Sequence, residues 1–217
     1  MLRFSIGGVS TASRQMRTAF SRPTSASRDA SLLCKEGNLG LTHFHIEGHI
    51  YYITTVIYNR LPIFTRPSFI IPLIDSLNFY RHKQTFKLMG YVIMPDHIHL
   101  IIWPFGELTV SDVMRDYKKF TSTRLIRQAE VEGITEWITA FQRGGEETGR
   151  SDNKVWQDSY WDENVYTEHF LRQKLNYVHR NPLQTGLVEH PADYPYSSYR
   201  NYELGEEWLI EIDRGWL

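Results

Sequence analysis

Two imidazoles one residue apart are the first sign of chemistry in this chain: His97-Ile98-His99. Alternate side chains of a strand share a face, so His97, His99, Ile101 and Trp103 point one way and Ile98, Leu100 and Ile102 the other. The two rings stand about 7 Å apart along the backbone, close enough to converge on one cation, and imidazole is a common metal ligand. Tyr177 and Asn181 form a second pair. On a helix they fall about 40° apart, so one face presents a phenol and, a turn later, a carboxamide. Both pairs also have an ordinary reading. Two histidines on a strand can be plain surface residues, and Tyr177 and Asn181 can be half-buried packing and a helix C-cap. Asn181 precedes Pro182, which biases its backbone out of the helix and would let its side chain swing toward an ion. His179 points roughly opposite to Tyr177 and is a poor site candidate.

The elements that must position these residues follow from periodicity. Ile50–Tyr58 is β-branched and aromatic, which predicts a strand. Phe69, Ile70, Leu73, Ile74, Leu77 and Tyr80 have helical spacing over Phe69–Arg81, with Pro72 in a first turn that tolerates proline. Lys87–Met94 and His97–Trp103 flank the turn signal Pro95-Asp96 and should pair as an antiparallel hairpin. Thr109–Gln128 reads as a helix capped by Thr109 or Ser111, with a basic face of Arg115, Lys118, Lys119, Arg124 and Arg127. Residues 129–154, with Gly144-Gly145 and Gly149, read mostly as loop, and Val155–Val165 as a short strand or two. Thr167–Arg180 is a helix whose stripe Leu171, Leu175 and Val178 should face the sheet, ended by Pro182. The order β-α-β-β-α-β-α points to an α+β fold: an antiparallel sheet with helices packed on it, ferredoxin-like or RRM-like.

Composition bounds the function. At 217 residues the chain can bury one core, and 41% apolar with 23% charged residues is ordinary for a globular protein. The single cysteine, Cys34, excludes an intrachain disulfide and a cysteine-built zinc cage, and fits a reducing, cytoplasmic setting. No apolar run approaches the roughly 20 residues that span a bilayer, so no membrane partner is expected. A net charge of −1 gives no bulk attraction to nucleic acid and leaves room for a local basic groove. Residues 1–40 carry +4 and the remainder −5. The Ser- and Arg-rich, acid-poor start fits an organelle presequence or, the reading we favour, an extension without a core of its own. The expected organisation is a disordered extension over 1–40, a catalytic domain over 41–190 and an aromatic tail over 191–217.

Three ordered strings add specificity. Gly90-Tyr91-Val92-Ile93-Met94-Pro95-Asp96-His97-Ile98-His99-Leu100-Ile101 resembles the signature of the REP-associated tyrosine transposases, members of the wider class of single-tyrosine His-hydrophobe-His (HUH) endonucleases and transposases. Leu175-Asn176-Tyr177-Val178-His179-Arg180-Asn181-Pro182, followed by Gly186-Leu187-Val188, and Tyr194-Pro195-Tyr196-Ser197-Ser198-Tyr199 support it. Weaker echoes run over His45–Thr55 and from Trp156-Gln157 to Tyr160-Trp161. The resemblance spans about residues 43–200. The long basic start, the polar stretch around 129–154 and the end beyond Asn201 depart from it.

The resemblance implies that Tyr177 is the catalytic nucleophile and that His97, His99 and Asn181 hold a divalent metal, Mg²⁺ or Mn²⁺. Related insertion-sequence enzymes often carry glutamine at the third ligand position. It implies metal-dependent cleavage and strand transfer of single-stranded DNA through a 5′-phosphotyrosine link, at hairpin sequences, with a monomer weakly favoured over a homodimer. The basic face Arg115, Lys118, Lys119, Arg124 and Arg127, with Arg172 and Lys174 beside the nucleophile, would contact DNA. Three alternatives make different predictions. A silent nucleic-acid-binding module would not cleave, a hydrolase in which water attacks would form no protein–DNA adduct, and a structural protein would not bind metal.

Overall fold

The computed structural model describes residues 48–149 and 151–214, so the expected extension over 1–40 lies outside the described residues. The element order is β1 (Ile50–Val56), α1 (Pro67–His82), β2 (Phe86–Ile93), β3 (His97–Pro104), α2 (Val110–Val131), α3 (Thr135–Thr148), β4 (Trp161–Val165) and α4 (Glu168–Gln184). The four strands form one sheet in the order β2-β3-β1-β4, with every neighbouring pair antiparallel. This is the α+β, ferredoxin-like arrangement that the alternation of elements implied.

Each strand divides its residues between two faces. Tyr51 and Ile53 of β1 join Ile98, Leu100 and Ile102 of β3 in the main core, together with Leu73 and Leu77 of α1 and Met114, Tyr117 and Leu125 of α2. The other face carries Tyr52 and Thr54, His97 and His99, and receives α4. On β2 a bulge lies between Leu88 and Gly90, so the core set changes parity from Phe86 and Leu88 to Tyr91 and Ile93. Gly90 thereby faces α4. A Cβ there would stand 2.7 Å from Leu175 Cδ2, so any larger residue would have to displace the Leu175 side chain where the helix packs.

Three boundaries differ from the sequence reading, each for a local reason. The first helix begins at Pro67, whose fixed φ suits the first helical position, so Pro72 sits in the second turn. Residues 129–154 are not mostly loop. α2 runs on to Val131 from a capping box between Thr109 and Asp112, and α3 follows. Ile134 at its N-cap and Trp137, Ile138 and Phe141 within it have helical spacing and pack on the core. Gly144 and Gly145 of α3 are contact points rather than loop residues, for a Cβ at either would strike Tyr58 or the backbone of Ser151. Finally, Pro182 does not end α4, which continues to Gln184 with Asn181 in helical backbone. The proline leaves one carbonyl without its N–H, and the following turn closes through Thr185 N–H donating to the Asn181 carbonyl.

The C-terminal aromatics pack rather than project. Tyr194 Oη donates to the Ile93 carbonyl at 2.6 Å, Tyr202 Oη to that of Met89 at 2.6 Å, and Ser198 N–H to that of Tyr91 at 2.9 Å, all along β2. Among the described residues no helix is long and apolar enough to cross a membrane.

Candidate active site

The register of the strands flanking β1 decides which side chains meet. His99 lies opposite Thr54 and His97 opposite Val56, while Thr54 lies opposite Trp161 on the other side of β1. Opposite residues share a face, so these positions line one surface. It borders a cleft of about 570 Å³ lined by Tyr52, Thr54, Arg60, His97, His99, Trp161, Gln173, Lys174 and Tyr177, besides Val56. Among the described residues its ionic lining is Arg60 and Lys174, each paired with a carboxylate outside the lining, Asp96 and Glu163.

The two imidazoles converge. His97 Nε2 and His99 Nε2 are 3.2 Å apart. His97 Nδ1 hydrogen-bonds the Asp96 carboxylate, whose other oxygen accepts from the Arg60 guanidinium at 3.0 Å. Burial opposes the charge on Asp96, but His97 and Arg60 outweigh it and hold its pKa below the ordinary carboxylate value. An Nδ1–H donated to Asp96 would leave the His97 Nε2 lone pair facing the cleft. His99 is only 4% exposed. Burial, then the neighbouring His97 and Lys174, push its pKa down to about 3, so it is neutral near pH 7.

α4 supplies the remaining groups. Leu171, Leu175 and Val178 are buried against the sheet. The adjoining stripe therefore places Tyr177 over the histidines, its ring centroid 5.5 Å from that of His99 and 6.1 Å from that of Tyr52. Tyr177 keeps 43% of its surface exposed, so its phenol is open to the cleft. Lys174, one turn earlier, pairs with Glu163 at 2.5 Å and lies 4.5 Å over the Tyr52 ring. Asn181, one turn later, is 6% exposed and brings its carboxamide nitrogen to 3.4 Å from His99 Nε2. Its carboxamide oxygen is buried with no hydrogen-bond partner. Rotating the amide by half a turn would exchange the two ends.

These groups fit a divalent cation. The two imidazole nitrogens converge, and the Asn181 carboxamide stands beside His99 Nε2 with its oxygen orphaned; with the amide turned over, the mixed N/O set would suit Mn²⁺ or Mg²⁺. Among the described residues no three or more of His, Cys, Asp and Glu gather as a candidate metal cage. A two-histidine set completed by asparagine falls outside that description.

The basic residues expected to contact DNA are not all brought to this cleft. Lys174 lines it. Arg172 pairs with Glu168 at 2.8 Å on the exposed flank of α4. α2 packs on the opposite face of the sheet, so Arg115, Lys119, Arg124 and Arg127 lie across the sheet from the histidines. Arg115 is engaged by Asp112 and Asp116. Lys118 donates to the Gln157 carbonyl at 2.5 Å, and burial lowers its pKa to about 8. His179 is buried, accepts or donates at Ser198 Oγ at 2.9 Å, and takes no part in the cleft. The residues missed from sequence are Tyr52, Thr54, Arg60, Asp96 and Trp161. The alternation of β1 carried the signal for the first two; Arg60 arrives through a turn in which it and Asn59 both have φ near +50°.

Comparison with known proteins assigns the family. The family model described as "Transposase IS200 like" matches residues 45–181, and the chain belongs to this family of transposases, enzymes that act on DNA. It is 27% identical over 161 residues to a Haemophilus influenzae protein named "Putative REP-associated tyrosine transposase", covering 70% of this chain and 81% of that one. It is 21% identical over 159 residues to the REP-associated tyrosine transposase of Escherichia coli K12, covering 72% and 79%. A solved structure of a REP-associated tyrosine transposase bound to a REP hairpin shares the fold, with a TM-score of 0.53 at 18% identity over 82% of this chain and 93% of that one.

Proposed function

We propose that the chain cleaves and rejoins single-stranded DNA at hairpin sequences through a covalent link to Tyr177. The carrying observation is that an exposed phenol and two converging imidazoles line one cleft together with Arg60 and Lys174, and that the orphaned carboxamide of Asn181 stands beside His99. His97, His99 and Asn181 would hold the divalent ion, which when bound supplies Lewis-acid polarisation of the scissile phosphate. Arg60 and Lys174, exchanging their Asp96 and Glu163 partners for the strand's non-bridging oxygens, would orient the phosphate. The exposed Trp161 ring, 54% accessible at the cleft rim, stacks a flanking base. The Tyr177 oxygen attacks phosphorus, forming the Tyr177 O–P bond as the P–O3′ bond breaks. The phenol proton leaves to solvent and the departing 3′ oxygen takes one up. The phosphodiester is conserved in the 5′-phosphotyrosine, so a 3′-hydroxyl can reverse the step without ATP. All four side chains belong to a single copy of the chain, which supports action as a monomer.

The test is incubation of end-labelled hairpin single strands with the full chain and Mn²⁺, followed by denaturing electrophoresis. Wild type is expected to give a slow-migrating protein–DNA band, and Tyr177→Phe none. Cleaved strands without any such band would favour attack by water and overturn the proposal.

A further inference from the structure

The lysine and arginines of α4 are held in different ways. Arg172 pairs with Glu168 at 2.8 Å and Lys174 with Glu163 at 2.5 Å. Arg180 is exposed and, among the described residues, has no carboxylate partner. It does not line the cleft, and the proposed reaction does not use it.

The rotation of α4 on the sheet is fixed by its buried stripe Leu171, Leu175 and Val178. At about 100° per residue, Asn181 and Lys174 lie about 40° and 60° to one side of Tyr177. That inner side meets the sheet, through the contacts of Asn181 with His99 and of Lys174 with the Tyr52 ring. Gln184, Gln173 and Arg180 lie about 20°, 40° and 60° to the other side, and all three are exposed. Asn176 is exposed beyond them, and no acid stands on this outer edge. Residues three and four apart on a helix are neighbours, so Gln173 and Arg180 flank Tyr177 along the axis, a turn before and a turn after it. Gln173 lines the cleft, and its amide has no hydrogen-bond partner among the described residues. Arg172, in contrast, lies about 140° from Tyr177.

The sheet closes the inner side of Tyr177, so a strand that reaches its oxygen has to pass along the outer edge. Arg60 and Lys174 stand inside the cleft, each already on a carboxylate. The Arg180 guanidinium has no such partner to give up, and its planar fork matches two oxygens of a phosphate. We propose that Arg180 binds the phosphate next to the one that Tyr177 attacks, and so lays the DNA strand along the outer edge of α4 across the mouth of the cleft. Arg180 binds the strand and touches none of the reacting atoms. The inference rests on the function proposed above and adds to it the course of the strand past the nucleophile.

The experiment follows the fluorescence anisotropy of a labelled DNA hairpin with oligothymidine flanks, bound to the full chain in EDTA, as KCl is raised. Each phosphate contact to a single strand contributes about 0.7 to the slope of log affinity against log salt. Arg180→Gln is expected to lower the wild-type slope by about that amount and to weaken binding at low salt about tenfold. Arg180→Lys, which keeps the charge and loses the fork, should keep the slope. Arg172→Gln removes the same charge from the same helix and should also keep it. Both arginines are exposed, so these changes leave the core intact. An unchanged slope in Arg180→Gln, an equal fall in Arg172→Gln, or a wild type that does not bind the hairpin would overturn the strand path. The function proposed above fails separately, by the absence of a Tyr177 adduct when wild type is given Mn²⁺.

Discussion

The two faces of the sheet are built from the same strands and do opposite work. On β3, Ile98, Leu100 and Ile102 enter a dry core under α1 and α2, while the intervening His97 and His99 open into a polar cleft under α4. Thr54 and Tyr52 separate in the same way from Tyr51 and Ile53 on β1. A period of two keeps stability and chemistry on adjacent residues without mixing them. The core face is closed by apolar side chains, whereas the cleft face holds the orphaned oxygen of Asn181 beside His99 and an exposed Tyr177.

Substitutions should divide along that line. Leu100→Ala removes a side chain that is 2% exposed in the core and should cost about 2–5 kcal/mol in urea unfolding. A cost under about 1 kcal/mol would mean the core face is looser than described. On the α4 side, His179 is held neutral by burial, which lowers its pKa to about 4 from an ordinary 6.5. Between those values the unfolded chain binds a proton that the folded chain refuses, so stability is full above about pH 6.5 and falls as pH drops toward 4, by up to about 1.4 kcal/mol per pH unit. His179→Gln should flatten unfolding free energy against pH in that window, and an unchanged slope would contradict the assignment. The smallest effect is expected from Arg124→Gln with Arg127→Gln. Because α2 lies across the sheet from the cleft, affinity for a hairpin strand at moderate salt should move less than about threefold. A loss comparable to that of Lys174→Gln would show that DNA wraps to the far face.

How far the molecule was legible in its sequence follows the range of the interactions. Strand alternation is local, so the faces of β3 could be read from His97 to Trp103. The stripe of α4 likewise located Tyr177 and Asn181. The role of glycine was misread in α3, because Gly144 and Gly145 answer to Tyr58 and Ser151, contacts between segments distant in sequence or folded back by a turn. Pro182 was read as a stop, whereas packing of α4 on the sheet carries the helix past it. The basic face of α2 was visible as a pattern, but the side of the sheet it would occupy is a property of topology. Tyr52 and Thr54 lay in plain view on β1 and became part of the site only once the register set Thr54 opposite His99.

The most direct measurement is mass spectrometry of tryptic peptides after the full chain has reacted with a hairpin single strand and Mn²⁺ and the DNA has been trimmed by nuclease. The account predicts a nucleotide phosphate on the peptide containing Tyr177 and on no other of the 13 tyrosines. An adduct on Tyr52, or cleaved DNA with every tyrosine unmodified, would contradict it.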